Sequence, residues 1–80
     1  MTKKQMIEVI QQKEAEAFLQ IKVDEKLFGT EHTITSKSRG EWAKINDLMN
    51  ELKIKPDNTL PENQEAIRMI MEKVKEEAAI

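Results

Sequence analysis

Apolar positions recur at three-to-four-residue spacing along almost the whole chain, the period of amphipathic α-helix. The first stretch opens with Thr2-Lys3-Lys4-Gln5, which has capping-box spacing: the threonine hydroxyl can accept the backbone N–H three residues on, and Gln5 can reach back. No Gly or Pro follows until Gly29, a residue suited to a left-handed helix end. The pattern therefore predicts a helix over 3–28, roughly 39 Å long at the usual rise per residue.

Two apolar stripes run along this helix. Met6, Ile7, Ile10, Ala17, Phe18, Ile21 and Phe28 share one face. Val9, Leu19, Val23 and Leu27 lie nearly opposite, the last three at i, i+4 and i+8. One neighbouring helix can cover only the first stripe. Val9, Leu19, Val23 and Leu27 are thus the candidate interaction surface. Glu14 interrupts the main stripe, with Asp24 and Glu25 close to it further along. Buried unpaired carboxylates cost several kcal/mol, so the simpler expectation is that these acids reach solvent at the edge of the stripe. The alternative is that a Lys or Arg of another helix answers them. Such interruptions often set register in coiled coils.

A second helix is expected over 32–53, with a single stripe of Ile34, Ser38, Trp42, Ile45, Leu48, Met49 and Leu52. Gly40 falls on its opposite face. The connection Gly29-Thr30-Glu31-His32 is short enough to fold the first two helices into an antiparallel hairpin. Lys55-Pro56-Asp57-Asn58 then ends the second helix, because proline disfavours helix in the residue before it. A third helix is expected over 60–78. Thr59-Leu60-Pro61-Glu62 repeats the capping-box spacing with Pro in the first turn, and Leu60, Ile67, Ile70, Met71, Val74 and Ala78 form its stripe. The last turn, Glu76-Glu77-Ala78-Ala79-Ile80, places acids at the negative end of the helix dipole and should fray. No strand-like alternation of useful length occurs. The expected fold is all-α: one domain over 1–80, a long antiparallel hairpin plus a third amphipathic helix, either a three-helix bundle or a dimeric helical assembly.

Composition sharpens this picture. A chain of 80 residues buries only about 60% of the surface it exposes when unfolded, so its core is thin. Small folds compensate with disulfides, a metal, self-association or very regular helix packing. The absence of cysteine excludes the first, and a single histidine argues against structural zinc. Acids and bases are interleaved at a net charge of −2, which supplies no field toward nucleic acid or anionic membrane. Apolar runs are short, so no membrane span is expected. The N-terminus has no continuous apolar stretch of the signal-peptide kind, and a cytoplasmic protein is expected.

Candidate chemistry is sparse. His32 has only Glu31 beside it, and a catalytic base needs a nucleophile or an orienting partner. The two residues also fall short of the three ligands a metal requires. Glu14 with Glu16, and Glu76 with Glu77, are not at the i, i+3 or i, i+4 spacing that gathers carboxylates on one face. There is no Gly-rich phosphate loop or nucleophile elbow. No catalytic residue, cofactor or metal is therefore expected. Trp42, in mid-stripe, reads as an anchor between the first two helices, with Phe18 as its neighbour. Met6, Met49, Met69 and Met71 suit a loose core or a permissive interface. Lys37, Arg39 and Lys44 are the most basic stretch of the second helix and the candidate contacts for nucleic acid, although Glu31 and Glu41 flank them.

The run Met6-Ile7-Glu8-Val9-Ile10-Gln11-Gln12-Lys13-Glu14-Ala15-Glu16-Ala17-Phe18, with the later pairing of Leu27-Phe28-Gly29 and a helix centred on Trp42, resembles small uncharacterised helical proteins of Gram-positive prophages and mobile elements. The resemblance covers the first two helices and carries no activity or functional residue across. The expectation is a non-enzymatic protein that self-associates as a dimer or higher oligomer, or binds another helical protein. A phage regulator touching nucleic acid through Lys37, Arg39 and Lys44 is the alternative.

Overall fold

The computed structural model describes residues 1–78, and within them the chain is all-α: α1 (Lys3–Phe28), α2 (Thr33–Leu52) and α3 (Pro61–Ala78). The expected fraying of the last turn concerns in part Ala79 and Ile80, which lie outside the described residues; α3 is helical as far as Ala78.

Local chemistry sets each boundary. Gln5 N–H donates to the Thr2 hydroxyl while the Gln5 side chain accepts from Thr2 N–H, which completes the capping box of α1. Gly29 ends α1 at φ 87°, a value that favours glycine, although its ψ of 168° is extended rather than left-handed helical. His32 caps α2, its Nδ1 accepting from Ile34 N–H at 3.1 Å while its ring lies 5.0 Å from that of Phe28. The C-terminus of α2 holds a surprise. Lys53, not a glycine, adopts the left-handed conformation at φ 58°, and Ile54 N–H bonds back to Met49 C=O in a Schellman closure.

The start of α3 departs from the capping box expected at Thr59-Leu60-Pro61-Glu62. The Thr59 hydroxyl turns back to donate to Asp57, and Asn63 and Gln64 donate to the Asp57 and Asn58 carbonyls. Glu62 instead accepts from Gln12 of α1 at 2.7 Å. The turn thus fastens α3 through Asp57, and the freed glutamate joins two helices.

Both α2 and α3 pack on α1, yet they bring no Cα atoms within 8 Å of each other. As α2 advances, its partners on α1 recede: Thr35 reaches Gly29, Ser38 reaches Asp24, and Trp42 reaches Glu14. Gln12 shares a face with Leu19 and Val23, at i, i+7 and i+11, and its bond to Glu62 places α3 on that side. The outline is elongated, 49 × 26 × 17 Å. Its radius of gyration of 13.9 Å exceeds the roughly 11.6 Å typical of a compact domain this long.

The apolar core is accordingly small: among the described residues, Ala15, Ile21, Met49 and Ala66 are its buried members. Met49 is the largest fully buried side chain, 1% exposed. Met49→Ala should therefore lower unfolding free energy by about 2–4 kcal/mol in urea titrations; a loss under about 1 kcal/mol would place Met49 outside the core. Thr59 holds the Asp57 carboxyl below its ordinary value through its hydroxyl and N–H. A depressed carboxylate contributes above its unfolded value and ceases to as pH falls through its lower folded value. In acid titration, the Thr59 amide resonance should shift with a midpoint below the usual aspartate range, and an ordinary midpoint would contradict that cap.

Candidate interaction surface

The contact between α1 and α2 is a polar seam with apolar flanks. Glu14 and Asp24 are 3% and 4% exposed, which corrects the expectation that acids on this stripe reach solvent. Neither is answered by Lys or Arg. Trp42 Nε1 donates to Glu14 Oε1 at 2.9 Å. The Ser38 hydroxyl donates to Asp24 Oδ2 at 2.5 Å, and Gln20 Nε2 to Asp24 Oδ1 at 2.9 Å. The Thr35 hydroxyl donates to the Gly29 carbonyl at 2.7 Å. Glu14 Oε2 is buried and makes no hydrogen bond with the protein. Glu25 alone has cations: Lys22 at 3.4 Å and Arg39 at 3.6 Å. Lys22 also lies 5.6 Å from the Phe18 ring centroid, and that ring is 6.1 Å from Trp42.

These bonds fix the rotation of α2. Thr35, Ser38 and Trp42, at i, i+3 and i+7, must face α1 to reach their acceptors. Thr35 and Ser38 are buried as a result, and part of the stripe expected to form the core is turned aside, although Met49 stays buried. Ile34, Leu48 and Leu52 are exposed. On α3 the buried residues are Asn63 and Ala66, and the apolar row Ile67, Met71 and Val74 is likewise open. Met71 and Val74 each retain 55% of their accessible surface.

The four residues of the second stripe on α1 are divided. Leu19 and Val23 are half-buried on the side that α3 approaches, whereas Val9 and Leu27 stay exposed. The basic trio is divided as well. Lys37 and Lys44, at i and i+7, share the outer face of α2, but Arg39 turns toward α1 and donates to the Thr30 carbonyl at 2.6 Å. The structure does not assemble one cationic face from the three.

No other chemistry gathers. Among the described residues, no three His, Asp or Glu side chains are grouped to hold a metal, and no helix is long and apolar enough to cross a membrane. A cleft of about 500 Å³ opens between α1 and the C-terminal half of α3. Lys22, Lys26, Lys73, Glu76 and Glu77 line it beside Met69 and Val74. Sequence reasoning missed Ile34, Leu48, Leu52, Ile67, Met71 and Val74 as surface residues because helical spacing alone puts them in the core. The available signal was the pair of hydroxyl residues Thr35 and Ser38, which donate to Gly29 and Asp24 respectively. No family model, curated protein or solved structure matches the chain.

Trp42→Phe keeps most of the packing but strands the Glu14 carboxylate, and should cost about 2–4 kcal/mol of unfolding free energy. Adding Glu14→Leu removes the stranded charge, so the double variant should be more stable than Trp42→Phe alone. Additive losses would mean that the two side chains do not interact.

Proposed function

We propose that this protein acts by binding rather than by catalysis, as a helical accessory protein that presents apolar rows on α2 and α3 to another helical surface. In this reading α1 and α2 form an antiparallel hairpin, and α3 lies along the other side of α1. The observation that carries it is the exposure of six large apolar residues, Ile34, Leu48, Leu52, Ile67, Met71 and Val74, in the helices of a chain whose core, among the described residues, holds four buried apolar side chains. Contiguous apolar surface on a folded protein marks a contact site more often than scattered single residues do. Ile67, Met71 and Val74 are spaced i, i+4 and i+7, and Leu48 and Leu52 i, i+4, the form in which helices dock into grooves. The likeness of the first two helices to prophage proteins is consistent with an accessory role of that origin.

The reading separates interface residues from folding residues. Leu48→Lys and Met71→Lys should each leave the helical signal intact at the lowest workable protein concentration, where association is absent. Their thermal midpoints there should stay within about 4 °C of the unsubstituted chain, corresponding to less than about 0.5–1 kcal/mol. Loss of helix in either variant would assign that residue to the core and end the interface reading for its row.

A further inference from the structure

We infer that the partner of α3 is a second copy of this chain, docked through Ile67, Met71 and Val74 across a two-fold axis. This rests on the interface reading above. The first argument is area. The chain exposes 6039 Å², whereas a compact monomer of 9.3 kDa exposes about 5000 Å². The excess, about 1000 Å², is close to the roughly 800 Å² that each partner gives up in an interface of standard size. The chain thus carries about one half-interface more surface than a self-sufficient domain of its mass.

The second argument is architecture. Domains close when two packed layers share a core. Here α2 and α3 flank α1 without approaching each other, so the chain has the form of a single helical layer with a 26 × 17 Å cross-section. Its third helix is the least secured of the three. Asn63 and Ala66 are the only buried residues of α3, and in proteins most helical stability comes from tertiary packing of a helix face. A cover that must be present whenever the chain folds is supplied most directly by the chain itself.

The third argument is the row. Leu60, Ile67, Met71, Val74 and Ala78 follow alternating three- and four-residue steps once Gln64 is included, which is the seam of a helix pair. No seam position is charged. In a two-fold contact residue i meets residue j and j meets i, so only a charge near the axis would face its own likeness; none lies there. The charged side chains sit beside it, where Arg68 already pairs with Glu65 and Glu72 of its own helix. Met71, in mid-row, falls nearest the axis.

Sedimentation equilibrium at high micromolar concentration should give twice the chain mass, and Met71→Lys should return it to the monomer. Because the chain has no cysteine, Met71→Cys provides a single thiol that reads the contact without introducing a charge. It should form a disulfide-linked dimer under mild oxidation, while Lys44→Cys on the outer face of α2 should not. A monomeric mass for the unsubstituted chain overturns the second-copy assignment. So does a dimer that survives Met71→Lys, or equal crosslinking at both cysteines. If the unsubstituted chain is monomeric while Leu48→Lys and Met71→Lys stay folded, the occupant is wrong but the interface reading stands. If those lysine variants unfold, the interface reading itself has failed.

Discussion

Taking the Glu14 and Asp24 carboxylates out of water costs several kcal/mol for each unless donors meet them, and the helix facing them has few donors to give. Trp42 supplies an indole N–H and Ser38 a hydroxyl, and both must point at α1 together with Thr35. An apolar contact tolerates sliding and rotation because dispersion has little direction. A hydrogen bond to a buried carboxylate does not. The three donors therefore fix both the register of α2 along α1 and its rotation about its own axis, and the apolar residues take the positions left to them.

The surface follows from that constraint. With Thr35 and Ser38 turned inward, Ile34, Leu48 and Leu52 are turned outward. On the other side of α1, Gln12 and Glu62 make a second polar link, and α3 settles with Asn63 and Ala66 against the chain and its apolar row uncovered. The molecule spends polar groups on geometry inside and leaves apolar groups for contact outside. That is the reverse of the usual division, and it is the observation from which we propose that a partner completes the burial.

Much of the secondary structure was legible because its signals are local. Thr2 with Gln5 opens α1, Gly29 ends it, and Pro56 and Pro61 bracket the turn before α3. What escaped depends on tertiary partners. A capping-box spacing at Thr59 and Glu62 cannot reveal that Gln12 will claim the glutamate while Asp57 holds the threonine. A lysine is a poor candidate for a left-handed helix end, so Lys53 was invisible as one. The doubled stripe of α1 did point to two neighbours, and α1 does contact both other helices. The depth of Glu14 and Asp24 was the larger omission. Reading acids as edge residues hid the seam, and with it the rotation that exposes half of α2's apolar row.

Exchange of the Trp42 indole proton with solvent tests the seam most directly, because that proton lies on the bond to Glu14. If the seam holds α1 and α2 in register, the indole N–H signal should exchange as slowly as the protected backbone amides of α1 and α2, through opening of the fold. Exchange at the rate of a solvent-exposed indole, in a chain whose helical amides remain protected, would mean that Glu14 and Trp42 are not joined and that something else sets the rotation of α2.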